Sequence, residues 1–244
     1  MPKKTQRGTR GQPEESRRSI LQAAIGEFGS HGLAGARTAA IAKAAGVNKA
    51  LLYYYYRDKK ALYDAVLDHV MAGRFRELSL VLDGDAEPGE KVLSYAVVHF
   101  NYMAKHAVHS RLMQEVSDSL RGNAQNLCAM IHRYFSALSE KLAAVLRAGI
   151  KSGQFRKIDV QNFSVSVAGL TVFYFSAIPV MRQVSNIDPL SPKALQQRRE
   201  AILDLLGAAL FTDRAHGMRV VRKILSSPLG SGGLATSMER GKHK

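Results

Sequence analysis

Residues 36–62 (ARTAAIAKAAGVNKALLYYYYRDKKAL) space cations, amides and hydroxyl-bearing rings in a way that suits holding nucleic acid rather than making bonds. Ile41, Ala42, Ala45, Val47 and Leu52 recur at intervals that pack two short helices together. Gly46 supplies the backbone freedom of a tight turn between them. The second helix then presents Asn48, Lys49, Leu51, Tyr53 and Tyr54 outward. A helix of this kind enters the major groove of B-DNA, where side chains meet base edges and phosphates. A helix can hide only part of a run of four tyrosines, so Tyr55 and Tyr56 are assigned to packing and Tyr53 and Tyr54 to the DNA side. Lys49, beside the turn, is assigned to a phosphate. Leu51 has two readings, contact with a thymine methyl and simple packing.

Other chemistry-bearing residues form weaker patterns. His99, His106 and His109 would approach one face of a continuous helix and make a conceivable metal site. Their spacing is loose and residues 105–108 read as a corner, so no metal is assigned. The sequence has no glycine-rich phosphate loop, GxSxG elbow, HExxH or paired metal-binding cysteines. No catalytic residue is therefore assigned, the chain is read as a non-enzyme, and no cofactor is expected. The lone Cys128 excludes an intramolecular disulfide, is expected to be a small buried residue, and fits a reducing cytoplasm.

The elements that must carry the 36–62 segment are helical. Pro13 with Glu14 and Glu15 marks a helix start, and Ile20, Leu21, Ala24, Ile25 and Phe28 form its apolar stripe, with Gly29 and Gly32 ending it. Short helices follow at about 38–45 and 49–55, and Asp58 caps a longer one from Lys59 to Leu82. After a loop at 83–89, helices are expected over 90–105 (one apolar face: Val92, Leu93, Ala96, Val97, Phe100), 108–120, 124–151, 159–184 capped by Asp159, 193–211 and 214–225. The apolar run 165–181 carries Ser166, Thr171, Ser176 and Pro179 and is shorter than the roughly 20 apolar residues of a membrane span. A buried helix is expected there, and no membrane partner.

Charge follows the same division. The chain of 244 residues has a formal net charge of +15. Residues 1–60 hold 12 basic and 4 acidic residues, 61–213 hold 16 and 15, and 214–244 hold 7 and 1. A basic end on a neutral middle is the footprint of a polyanion binder; on charge alone an anionic membrane surface also fits.

Residues 16–66 resemble the DNA-binding head of the tetracycline-repressor (TetR) family of bacterial regulators. The resemblance rests on Ile20-Leu21, Ala23-Ala24, Phe28, Gly32, Ile41-Ala42, Ala45-Gly46-Val47, Leu52-Tyr53, Tyr55-Tyr56, Lys59 and Leu62. It implies a homodimer on a palindromic operator, usually a repressor, released from DNA by a ligand. It also implies that 36–45 is the supporting helix, that 47–53 is the recognition helix, and that Tyr53 and Lys59 grip phosphates. Ala36 stands where the family usually has Thr, leaving Arg37 as the expected phosphate contact at the head of that helix, with Thr38 beside it as a further expected DNA contact; Tyr56 stands where Phe is commoner.

The expected architecture is all-α: a three-helix helix-turn-helix head on a helical-bundle regulatory and dimerisation domain. A basic arm (1–13) precedes the head (14–62), which leads into a sensing and dimerisation body (63–213) and a basic extension (214–244). Double-stranded DNA, a second copy meeting through about 159–184 and 193–211, and a small-molecule effector are the expected partners, and the cytoplasm the expected location. Helices apolar on more than one face, as in 165–181 and 195–210, need burial on all sides, which a four-helix interface or a larger monomeric core would supply. His99, Tyr102, Met103, Tyr134 and Phe173 are the expected effector contacts. Two rivals stay open: a helical enzyme or carrier with an incidental basic end, and an architectural nucleic-acid binder without a sensor.

Overall fold

The computed structural model describes residues 13–106 and 125–228. The expected helix at 108–120, His109, nearly all of the basic arm and the end of the basic extension lie outside them. Ten helices run through the described residues: α1 (Pro13–Gly35), α2 (Thr38–Ala44), α3 (Lys49–Tyr55), α4 (Lys59–Asp83), α5 (Pro88–Lys105), α6 (Gln125–Lys151), α7 (Val160–Ser176), α8 (Ile178–Val184), α9 (Pro192–Leu210) and α10 (Arg214–Ser226). The only strand-like pairing among them is an isolated bridge between Phe155 and Phe211. The described residues fall into two compact units, 13–72 with 125–131, and 73–106 with 132–228.

The first unit is built on α1. Ile20, Ala24 and Phe28 recur every four residues, so they share one face and are all fully buried. That face meets Ile41 and Ala42 of α2, Leu52 of α3, and Leu62, Tyr63, Val66, Leu67 and Val70 of α4 in one cluster. Phe28 and Tyr63 meet edge to face with centroids 5.0 Å apart. Gly32, not Gly29, interrupts α1: its φ is 68°, whereas Gly29 is a buried helical residue and a further turn runs to Gly35. Cys128, expected to be buried, is exposed.

The second unit is built around α5. The expected single apolar face is corrected: every residue from Val92 to Met103 is buried. Because α5 is contacted by α7, α9 and α10, no side of it is left for solvent. Phe100 packs on Tyr174 and Phe175 of α7, at 5.8 and 5.0 Å. Gly149 lets the Phe155 ring approach so closely that a Cβ at that position would lie 2.1 Å from it.

The expected 159–184 helix is two helices. Asp159 caps α7 as expected, accepting from the Asn162 amide at 2.8 Å. The chain then breaks at Ala177, because Pro179 lacks the N–H needed to continue the ladder and instead sits in the first turn of α8, bent by 58°. No single described helix is long and apolar enough to cross a membrane; only this bent pair reaches the length and composition together.

Candidate nucleic-acid interface

The turn between α2 and α3 follows from Gly46. With φ at 69°, it lets the Val47 amide reach the Ala42 carbonyl at 3.0 Å while its own amide reaches the Lys43 carbonyl at 3.2 Å. These two bonds close the end of α2 in a Schellman arrangement, which an L-residue would strain. Two residues on, Asn48 is extended and its Oδ1 accepts from the Leu51 amide at 2.7 Å, starting α3. Asp58 starts α4 in the same way, through the Ala61 amide at 2.7 Å. That amide, and then the Arg57 guanidinium, hold its carboxyl below the ordinary 3.8.

With both ends of α3 fixed, its faces are fixed as well. Leu52 and Tyr56 point into the core, while Tyr54 is 80% exposed and Tyr53 39%. Tyr53 and Thr38 Oγ1 share a hydrogen bond of 3.2 Å, tying α3 to the first residue of α2. Lys49 Nζ lies 5.7 Å from the Tyr53 ring centroid, a cation–π contact that leaves the ammonium in solvent. Thr38, Lys49 and Tyr53 are thus brought together. Asn48 and Arg37 are exposed beside them in sequence, with the Arg37 amide bonded to Glu27 Oε1 at 2.9 Å. Leu51 is half-buried. Lys59 donates from Nζ to the Ala34 carbonyl at 3.0 Å, so it also pins the end of α1. Lys43, exposed in the last turn of α2, is a further cation that sequence reasoning did not single out.

The expected effector contacts belong to the second unit and are only partly brought together. His99, Tyr102 and Met103 are buried within about one turn of α5. His99 Nε2 meets Arg74 Nη2, and because a guanidinium can only donate, that nitrogen accepts. The ring proton then sits on Nδ1 and is donated to Thr171 Oγ1 at 2.7 Å, and the Thr171 hydroxyl turns to the Ala168 carbonyl at 3.0 Å. Burial, and then Arg74, hold His99 neutral well below the ordinary imidazole range. Burial and Glu77 push the Tyr102 hydroxyl up to about 12. Tyr134 is half-buried and stacks near Phe75 at 5.5 Å. Phe173 is 70% exposed, on the open side of α7 rather than in the interior. Arg74 and Thr171, 25 residues before His99 and 72 after it, were missed because nothing local in the sequence links them.

A neutral buried histidine sets a pH dependence. The unfolded imidazole takes a proton near its ordinary 6.5, whereas folded His99 does so only well below it. Stability is therefore full above about pH 6.5 and falls as the pH drops from there toward the folded value, by up to about 1.4 kcal/mol per pH unit per proton. His106, lowered by burial and Lys105, adds in the same direction. Urea midpoints measured from about pH 7.5 to about pH 5 should decline, and His99→Gln should flatten the slope; an identical slope in that variant would remove His99 from the account.

A helix-turn-helix with an outward-facing second helix, carried on an all-helical chain, defines a DNA-binding transcriptional regulator. Residues 20–66 match the family described as bacterial regulatory proteins, tetR family, and residues 88–206 match the tetracyclin repressor-like C-terminal domain. The chain belongs to the TetR family. It is 29% identical over 171 residues to the HTH-type transcriptional repressor NicS of Pseudomonas putida, covering 68% of this chain and 78% of NicS. It is 28% identical over 170 residues to the HTH-type transcriptional regulator RutR of Escherichia coli, covering 70% and 78%. The ketosteroid transcriptional regulator KstR2 of Mycobacterium tuberculosis shares the fold, with a TM-score of 0.62 at 19% identity over 81% of this chain and 95% of that one.

Proposed function

We propose that two copies of this chain bind a palindromic operator as a repressor and leave it when an effector binds the second unit. The carrying observation is the orientation of α3: Leu52 is wholly buried while Tyr54, two residues on, is 80% exposed. In this reading Asn48, Leu51 and Tyr54 meet base edges, and Arg37, Thr38, Lys49, Tyr53 and Lys59 hold phosphates. The role of NicS as a repressor supports the sign of regulation. An effector shifts the population toward release only by the difference in its affinity for the two states. The reading includes action in the cytoplasm and no catalytic step.

Exposed apolar groups support the second copy. Val165 and Phe173, eight residues apart on α7, and Leu205 on α9 lie open on a single chain. A face of this kind on the two helices fits a four-helix interface, two helices from each copy.

The test is binding to DNA fragments selected from a genomic pool by the purified protein, followed as a function of salt. Log affinity should fall linearly with log salt, and Lys49→Ala should reduce that slope by about one. Affinity independent of salt, or equal for selected and scrambled DNA, would overturn the proposal.

A further inference from the structure

Among the described residues, the interior of the second unit holds a positive charge, Arg74, with no ion-pair partner. Arg74 is 7% exposed, its Nε is buried and makes no hydrogen bond, and none of the ion pairs among the described residues includes it. Its neighbours are neutral: the His99 imidazole, the Phe75 ring 5.8 Å from Cζ, and the hydroxyls of Tyr95 and Tyr102. Glu77, one turn further along α4, makes no ion pair with Arg74 among the described residues: its Oε2 is buried without a hydrogen-bond partner, and burial raises its carboxyl while Lys105 and Arg76 lower it. Withdrawing an ion from water is unfavourable unless an opposite charge and full hydrogen bonding answer it. One imidazole nitrogen and a ring face do not satisfy a group with five N–H donors.

His99 does something other than neutralise. Its tautomer is set by Thr171, whose own hydroxyl is oriented by the backbone of α7, so Nε2 is a fixed acceptor that holds one arm of the guanidinium. A guanidinium held on one side and unanswered on another is prepared for a planar, two-oxygen acceptor.

We propose that Arg74 is the anchor for the carboxylate of the effector, which is therefore a monocarboxylic acid with an apolar or aromatic body. This rests on the reading of the chain as ligand-responsive and adds the chemical class. One buried cation matches one negative charge; a dianionic phosphate ester would bring a charge for which this cluster has no second buried cation, since Arg76, which also acts on Tyr102, is exposed. The rings of Phe75, Tyr95 and Tyr102 provide apolar surroundings for the rest of the molecule. His99 and Thr171 are positioning residues, acting through Arg74.

The experiment measures Tm and calorimetric binding of the full chain with butyrate, hexanoate, benzoate and phenylacetate, each beside its primary amide. At least one acid is expected to raise Tm and to bind about tenfold or more tightly than its amide, and Arg74→Gln is expected to abolish the difference. The unliganded Arg74→Gln chain is expected to melt no lower than the parent, since no ion pair is lost and the removal of an unanswered buried charge offsets the contact that His99 Nε2 gives up. Amides that match their acids, an absence of response to every acid, or undiminished acid binding in Arg74→Gln would overturn the proposal. If the glutamine variant melts early, Arg74→Lys decides: it keeps the charge without the paired geometry, so about tenfold weaker acid binding supports the anchor and unchanged binding overturns it. Release of selected DNA separates the two levels. A neutral amide that releases DNA where no acid does overturns the carboxylate and leaves ligand-responsive repression standing. An acid that binds through Arg74 without releasing DNA supports the anchor and counts against that repression instead.

Discussion

Placing Asp at both Phe173 and Leu205 is expected to leave each chain folded yet turn a two-chain species into single chains, with operator affinity lower by more than about a hundredfold. The two side chains are 70% and 53% exposed on one chain, so replacing them creates no cavity in its interior. In a two-fold assembly each substitution occurs twice, and four carboxylates would have to be desolvated in a face that otherwise offers Val165 and similar groups. The cost of several kcal/mol exceeds what a standard interface can absorb without dissociating at micromolar concentration. Single chains hold one recognition helix each and lose the joint binding of two half-sites separated by about one helical turn. Analytical ultracentrifugation with a thermal melt checks both halves of the expectation. A variant that still sediments as two chains would move the interface elsewhere, and one that unfolds would show that these residues are needed within the chain.

Reading this protein from its residues succeeds where the determining physics is local. Gly46 demands a left-handed backbone, and the two capping hydrogen bonds around it are the direct result. Asp58 and Asp159 each stand just before a run of helix formers, and each accepts from an amide three residues on. The buried and exposed faces of α3 follow from helical spacing alone, which separates Leu52 from Tyr54. The same logic misses features set by through-space packing. α5 carries the polar residues Ser94, His99 and Asn101, yet all three are buried. Their partners lie far along the chain: Thr171 for His99, and Arg199 for Asn101. Asn48 was assigned only to DNA, although its oxygen is engaged in starting α3. The break at Ala177 was legible in principle, since Pro179 stands in mid-run, but the apolar continuity of 165–181 masked it.

Leu51 and Leu52, adjacent in sequence, are expected to fail in opposite ways when cut back to alanine. Leu52 is wholly buried in the cluster with Ile20, Phe28, Ile41 and Leu62, so Leu52→Ala removes packing from every helix of the first unit at once. Truncations of this kind cost about 2–5 kcal/mol, a large share of what holds a small helical unit together. Leu51 is half-buried and its amide, not its side chain, makes the capping bond to Asn48, so Leu51→Ala should cost far less. Hydrogen exchange of the amides in 36–62 measures the difference: strong loss of protection in Leu52→Ala and near-parent protection in Leu51→Ala. DNA binding then tests the base contact proposed for Leu51. Leu52→Ala should weaken all sequences together, because the fraction of folded heads falls. A Leu51→Ala protein that binds the selected site less well but non-specific DNA as before would place its side chain against a base, since a lost thymine-methyl contact alters preference without changing the phosphate contacts. Equal loss on both DNAs with normal protection would assign Leu51 to orienting α3 instead.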